Sequence, residues 1–227
     1  MSKHLQRDIE SLNTELLSIS SMVEEMIDKA TQALADRRID LADAVVNSDE
    51  YVDQHEVHVE EECLKILALH QPVAVDLRRI ATVMKVNNDL ERIADLAVSI
   101  AQRAKAMDEF PAFPISEHVP RMVLLATQMV RGAMNAFVNL DTANARRIIA
   151  MDRTVDQYNR DIITELQTLM QKRPETVPAA INCFSAVRHI ERIGDHATNI
   201  AEDVIYLVEG DIVRHRHPSQ PQAEATG

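Results

Sequence analysis

The chain has 227 residues, with 4 glycines, 3 tyrosines, 4 phenylalanines and no tryptophan. This composition argues against a β-rich fold, because sheets draw on turn glycines and on bulky aromatic and β-branched faces. The formal net charge of −12 argues against broad nucleic-acid binding, which rests on Lys and Arg meeting phosphates, and against an anionic membrane surface as a direct partner.

Apolar residues make up 46% of the chain, and the length suits one large domain or two small ones. No apolar run reaches the roughly 20 residues that span a bilayer. The start, MSKHLQRDIESLNTE, lacks the apolar centre of a secretory signal. The expectation is a cytoplasmic protein without direct membrane insertion.

Residues 1–71 contain neither Pro nor Gly. Leu5, Ile9, Leu12, Leu16, Ile19, Val23, Ile27, Ala30 and Leu34 recur at three- and four-residue spacing, the stripe of an amphipathic helix. The run is too long for one helix of a compact domain. The polar cluster from Asp36 to Asp40 supplies the turn, with Asp40 as N-cap of the next helix. Pro72 closes the second helix, Pro111, Pro114 and Pro120 separate the third from the fourth, and Pro174 and Pro178 precede the sixth. The pattern predicts six helices at about 4–36, 40–70, 74–107, 117–139, 142–172 and 177–209. Ser116, Asp141 and Thr176 are expected caps, and Gly210 fits the position just past the last helix. Residues 211–227, with His215 and His217, read as a flexible tail.

The two halves repeat. Asp49, Val52, Asp53 and Gln54 match Asp152, Val155, Asp156 and Gln157, and ERIADLAVSIA (91–101) matches ERIGDHATNIA (191–201) at seven of eleven positions. Each half is therefore expected to be a three-helix unit, 1–110 and 114–210. The predicted fold is all-α: two tandem three-helix bundles arising by internal duplication.

The repeat also organises the acids. Acidic residues four apart share one helix face and repel. Eight such pairs occur among the 36 acids, against roughly six expected by chance on a 3.6-residue helix. The number is ordinary, but the register is not. Four pairs recur between the halves: Asp49/Asp53 with Asp152/Asp156, and Glu91/Asp95 with Glu191/Asp195. The third helix carries its apolar stripe on Val83, Val86, Leu90, Ile93, Ala97 and Ile100, which places Glu91 and Asp95 nearly opposite, at the surface. If the second and third helices of a half pack side by side, four carboxylates line one groove. Hard oxygen donors without a soft ligand suit Mg²⁺, Ca²⁺, Mn²⁺ or iron rather than structural zinc. The competing reading is a solvated face in which Glu91 and Glu191 pair with nearby arginines.

Other constellations point away from catalysis. No Glu is followed three residues later by His, which removes the pattern of di-iron four-helix carboxylate enzymes. There is no Gly-rich phosphate loop and no G-x-S-x-G. Nothing assembles a nucleophile, a base and an oxyanion donor. His55 and His58 read as separate surface histidines, because their counterparts are Tyr158 and Asp161. Cys63 and Cys183 lie among apolar helical positions, as buried free thiols do.

The segment LALHQPVAVDLRRI (67–80), followed by Lys85 and DLERIAD (89–95), resembles the first repeat of the PhoU family, and IERIGDHATNIAED (190–203) resembles the second. The resemblance extends from about residue 4 to residue 215. Ala94 departs from the usual glycine of the family pattern, which Gly194 keeps, and His70 stands where Arg or Gln is common.

The resemblance implies two tandem three-helix bundles. It also implies E(D)xxxD motifs able to hold multinuclear metal clusters, here Asp49/Asp53, Glu91/Asp95, Asp152/Asp156 and Glu191/Asp195, with Mg, Mn, Zn or Fe as candidate ions. The role it implies is regulatory and non-enzymatic. Such a protein links a phosphate ABC transporter, through its ATPase, to a sensor histidine kinase, and represses the phosphate-starvation regulon when phosphate is plentiful. It is cytoplasmic, recruited to the inner membrane face by its partners, and commonly a homodimer. The alternative is a carboxylate-rich metal-binding protein or metalloenzyme.

Overall fold

A computed structural model describes residues 3–111 and 113–210. The helices are α1 (Lys3–Asp36), α2 (Ile39–His70), α3 (Val75–Asp108), α4 (His118–Asn139), α5 (Thr142–Lys172) and α6 (Val177–Glu209), with a short 3-10 turn at Pro174–Thr176 before α6. No strand occurs among the described residues. Each predicted helix appears within one residue of its expected bounds, and the expected tail, 211–227, lies outside the described residues.

The apolar periodicity does what it predicts. Leu12, Leu16, Ile19, Val23 and Ile27 of α1 are buried, and so are Val83, Val86, Leu90, Ile93 and Ile100 of α3. α1, α2 and α3 pack on one another as the first bundle, and α4, α5 and α6 as the second. The bundles join along α3 with α6 and α1 with α4, so that one core runs through both. α3 and α6 run antiparallel, and their seam is polar at several points. Lys85 meets Asp203 at 3.1 Å and lies over the Tyr206 ring, 5.1 Å from its centre. His196 meets the buried Asp89 at 2.8 Å, and Asn199 donates to the same carboxylate at 3.4 Å.

The helix ends revise part of the sequence reading. Asp141 caps α5 as expected, its carboxylate accepting from the Asn144 N–H at 2.9 Å. Gly210 closes α6 in the left-handed conformation, φ 79°. Asp40, in contrast, is not the N-cap of α2. The turn after α1 is only Arg37–Arg38, with Arg37 left-handed at φ 56°, so α2 begins one residue earlier and Arg38 takes the cap position. Asp40 lies in the first turn, where its charge suits the helix dipole, and receives a forked bond from Arg38 at 2.8 and 2.6 Å. Ser116 falls one residue short of the α4 cap, which is Glu117, although its hydroxyl accepts from the His118 N–H at 3.1 Å. Thr176 is at the α6 cap position but donates its hydroxyl back to the Arg173 carbonyl at 2.7 Å, inside the 3-10 turn.

Arg37 has a role the sequence did not suggest. From the α1–α2 turn its guanidinium donates to the carbonyls of Phe110 at 2.9 Å, Pro111 at 3.0 Å and Met107 at 3.3 Å. It thereby adds a donor to the carbonyls at the end of α3, that of Met107 already taking the Phe110 N–H, and ties the start of the linker to the α1–α2 turn.

Candidate functional site

Helical spacing sets each acid pair one turn apart, and the α2–α3 and α5–α6 packing then brings two pairs together in each bundle. In the first bundle, burial pushes Asp49 above the usual carboxylate range, and the charges of Asp53 and Asp95 push it further. Glu91 is raised by burial and then by Asp95, with Arg92 opposing and Asp53 and Glu56 adding. In the second bundle, Asp152 is pushed up to about 6, first by burial and then by Asp195, Asp156, Glu191 and Glu202. Asp195 is raised by burial and by Asp156, against His196, Arg188 and Arg192. Glu191 is raised by burial, with Arg188 opposing. All four pairs thus fall into two clusters of mutually repelling carboxylates.

The acids sit deeper than the helical wheel suggests. The side chains of Glu91 and Glu191 are only 20% and 14% exposed. Both also show the arginine pairing of the competing reading, Glu91 with Arg92 at 3.3 Å and Glu191 with Arg188 at 2.5 Å. Their Oε2 atoms are buried and make these ion pairs but no hydrogen bond. Asp95 also meets Arg92 at 3.3 Å, and Asp156 meets Arg160 at 3.9 Å. Asp53 is exposed.

The donor set suits a hard divalent cation in its chemistry: oxygens only, partly desolvated, with excess negative charge. The side chains are not preassembled for one. Among the described residues, no three His, Cys, Asp or Glu side chains stand close enough together to hold a metal ion. A cation would have to draw Glu91 or Glu191 away from its arginine.

Two acids of these clusters escaped the sequence reading. Glu56 belongs to the first, raised by burial and by Glu60 and Asp53. Glu202 belongs to the second through its effect on Asp152. The signal was present: Glu56 lies seven residues after Asp49, and Glu202 seven after Asp195, two turns along the same face. They were missed because neither has an acidic counterpart in the other half. The repeat places Asn159 opposite Glu56 and Gln102 opposite Glu202. Asn159 is buried, and its Nδ2 donates to Glu191 Oε1 at 3.0 Å.

The remaining candidates resolve simply. His55 and His58 do not share a partner: the former donates its ring N–H to the Tyr51 carbonyl at 2.7 Å, and the latter meets Glu15 at 3.4 Å. Cys63 and Cys183 are free and buried, and burial pushes both thiols up to about 12, which leaves them inert as nucleophiles. His215 and His217 lie outside the described residues.

Comparison with known proteins agrees with this architecture. The PhoU domain model matches twice, at residues 16–104 and 119–204. The chain is 37% identical over 213 residues to the phosphate-specific transport system accessory protein PhoU homolog of Aquifex aeolicus, covering 94% of this chain and 96% of that one. It is 33% identical over 225 residues to the phosphate-specific transport system accessory protein PhoU of Escherichia coli, covering 95% and 91%. The crystal structure of PhoU from Pseudomonas aeruginosa superposes with a TM-score of 0.87 at 37% identity, covering 91% of this chain and 99% of that one. The crystal structure of the phosphate transport system regulatory protein PhoU from Streptococcus pneumoniae gives 0.86 at 28% identity, covering 92% and 99%.

Proposed function

This chain belongs to the PhoU family, a family of accessory and regulatory proteins rather than enzymes, and on that premise we propose that it regulates phosphate uptake by joining a phosphate ABC transporter to its signalling kinase. The observation that carries the reading is the double match of the family model, one per bundle, across most of the chain. The transporter ATPase and a phosphate-sensing histidine kinase are the proposed partners. In this role the protein favours the inhibited state when phosphate is plentiful. It works at the inner face of the plasma membrane from the cytoplasm, as a homodimer. No helix of the described residues is long and apolar enough to cross a membrane, so contact with that face would come through partners.

The acid clusters are the second part of the proposal. Asp49, Asp53, Glu91 and Asp95 in one bundle, and Asp152, Asp156, Glu191 and Asp195 in the other, hold divalent or iron-type cations. A bound cation supplies positive charge that offsets the carboxylate repulsion. The residues themselves contribute oxygen donors from two helices each, so a cation would clamp α2 to α3 and α5 to α6.

Deleting the gene is expected to derepress phosphate-starvation genes in rich phosphate. Unchanged expression, together with failure to capture ATPase or kinase at either phosphate level, overturns the regulatory reading. For the metal, untagged protein is expected to melt higher in Mg²⁺, Mn²⁺, Zn²⁺ or Fe²⁺, through mass action. The shift should shrink in Asp49→Asn/Asp95→Asn and in Asp152→Asn/Asp195→Asn, and vanish when the two are combined. A shift of unchanged size in the combined variant assigns the cation elsewhere.

A further inference from the structure

The seam between α1 and α4 holds a cavity of about 430 Å³, within the range of sites that bury a ligand. It lies between the bundles, on helices that carry none of the paired acids. The two helices run antiparallel there. Arg131 of α4, which forks onto Glu24 of α1 at 2.8 and 2.6 Å, lines one end, and Asp36 of α1 and Ile115 line the other. Val119, Val123 and Leu124 of α4 give the cavity an apolar wall, and Leu124 is 61% exposed.

Two features ask for an occupant. Thr127, only 7% exposed, lines the cavity with a buried hydroxyl that has no hydrogen-bond partner. Thr31 on the facing helix shows the ordinary solution, donating to the Ile27 carbonyl at 2.8 Å. Thr127 has no such bond to its own helix, and a buried polar group without a partner is costly. The second feature is charge. Asp28 and Asp36 are exposed on the α1 side of the rim, and Arg131, which also lines the cavity, is forked onto Glu24 and attracted more weakly by Asp28, so the two aspartates outnumber the cation. The rim is therefore acidic around an apolar wall.

We propose that the α1–α4 groove is a docking site for a cationic amphipathic helix of a partner protein. From Asp28 to Asp36 the groove runs eight residues along α1, about 12 Å, which accommodates roughly two turns of a docked helix. Apolar side chains at i, i+3 or i+4, and i+7 of that helix pack against Leu124, Val123 and Pro120. Lys or Arg on its flanks meets Asp28 and Asp36.

The test uses the full chain and a fluorescein-labelled Leu/Lys amphipathic helical peptide, with binding read by anisotropy. Wild type is expected to bind saturably. Leu124→Glu is expected to weaken binding about tenfold or more. That direction is diagnostic, because the substitution adds a negative charge and bulk attraction alone would strengthen binding. Asp28→Lys/Asp36→Lys is expected to weaken binding and to flatten its salt dependence. Glu50→Lys/Glu61→Lys, with the same net-charge change on α2, should leave the affinity within about twofold. Leu124 is exposed, and an unchanged helical circular dichroism spectrum and melting temperature confirm that its variant folds. No binding by wild type overturns the proposal, as does equal binding by Leu124→Glu. Self-association of the chain that Leu124→Glu abolishes, without an effect on the peptide, also overturns it by making this groove a contact between copies.

Discussion

In the first bundle, the half-buried Glu91 shares one arginine, Arg92, with Asp95, and the cluster gains a fifth acid, Glu56. In the second, Glu191 has Arg188 at 2.5 Å and the buried amide of Asn159 at 3.0 Å, and the fifth acid is Glu202. The cost of the second arrangement falls on Asp152, the most perturbed carboxylate of the eight, pushed up to about 6. Asp49, its counterpart, is raised by the same causes without reaching a comparable value. Duplicated motifs therefore need not be duplicated sites. Four equivalent pairs recur, and how deeply each acid is buried, followed by the paired carboxylates around it, sets where the perturbation concentrates, with Glu56 and Glu202 adding least.

The comparison is sharpened most by neutralising the two aspartates in turn. Because the folded chain raises Asp152 to about 6 from the ordinary 3.8, folding takes up a proton there between these values. Its ionised form opposes folding above about pH 6, and stability at this group rises as pH falls from about 6 towards 3.8. In metal-free buffer, Asp152→Asn is expected to stabilise the protein at pH 7 by roughly 1–2 kcal/mol, after discounting for its contact with solvent, and to flatten the pH dependence between those values. Asp49→Asn should do the same to a smaller extent. Urea melts at pH 7 and pH 5 check both, and equal effects would erase the asymmetry.

Next in size is Asn159→Ala. It removes the donor to Glu191 and should cost about 1 kcal/mol at pH 7, with a further rise in the Glu191 pKa readable by NMR titration. Smaller again is Gly194→Ala. An added Cβ would stand 3.4 Å from Val155 Cγ1 and 3.7 Å from Asp152 Oδ1, ordinary contacts, so the gain in helix propensity should appear as up to about 1 kcal/mol of stability. Ala94→Gly should lose a similar amount. A loss on Gly194→Ala would show that the second bundle needs its glycine for space. The smallest effect is expected from Arg92→Gln, a few tenths of a kcal/mol, because this guanidinium is half exposed.

Much of this molecule was legible from short-range pattern. Apolar spacing at three and four residues marked the helical stretches, since a helix repeats its face within the few residues that any window contains, and the prolines with the polar cluster at 36–40 divided them into six. The offset between 91–101 and 191–201 gave the duplication, and its register singled out four acid pairs from eight. Start signals were less dependable. Asp141 capped as expected, whereas Asp40 lost the cap position to Arg38 because the turn before it is only two residues long. Glu56 and Glu202 have no acidic counterpart in the other half, where Asn159 and Gln102 stand, so the repeat does not mark them.

The sequence by itself determined an all-α chain, its division into two like halves and the acids that recur in both. Tertiary structure alone decided how far each acid is withdrawn from water, which arginine it meets, that Arg37 holds the end of α3, and that α1 and α4 leave an acid-rimmed groove with a buried, unpartnered hydroxyl. The reason is one of range. Helical periodicity and capping act between residues a few positions apart. Desolvation and charge coupling act through space, between residues 30 to 110 positions apart such as Asn159 with Glu191 or Asp89 with Asn199, and depend on which faces the packed bundles bring together.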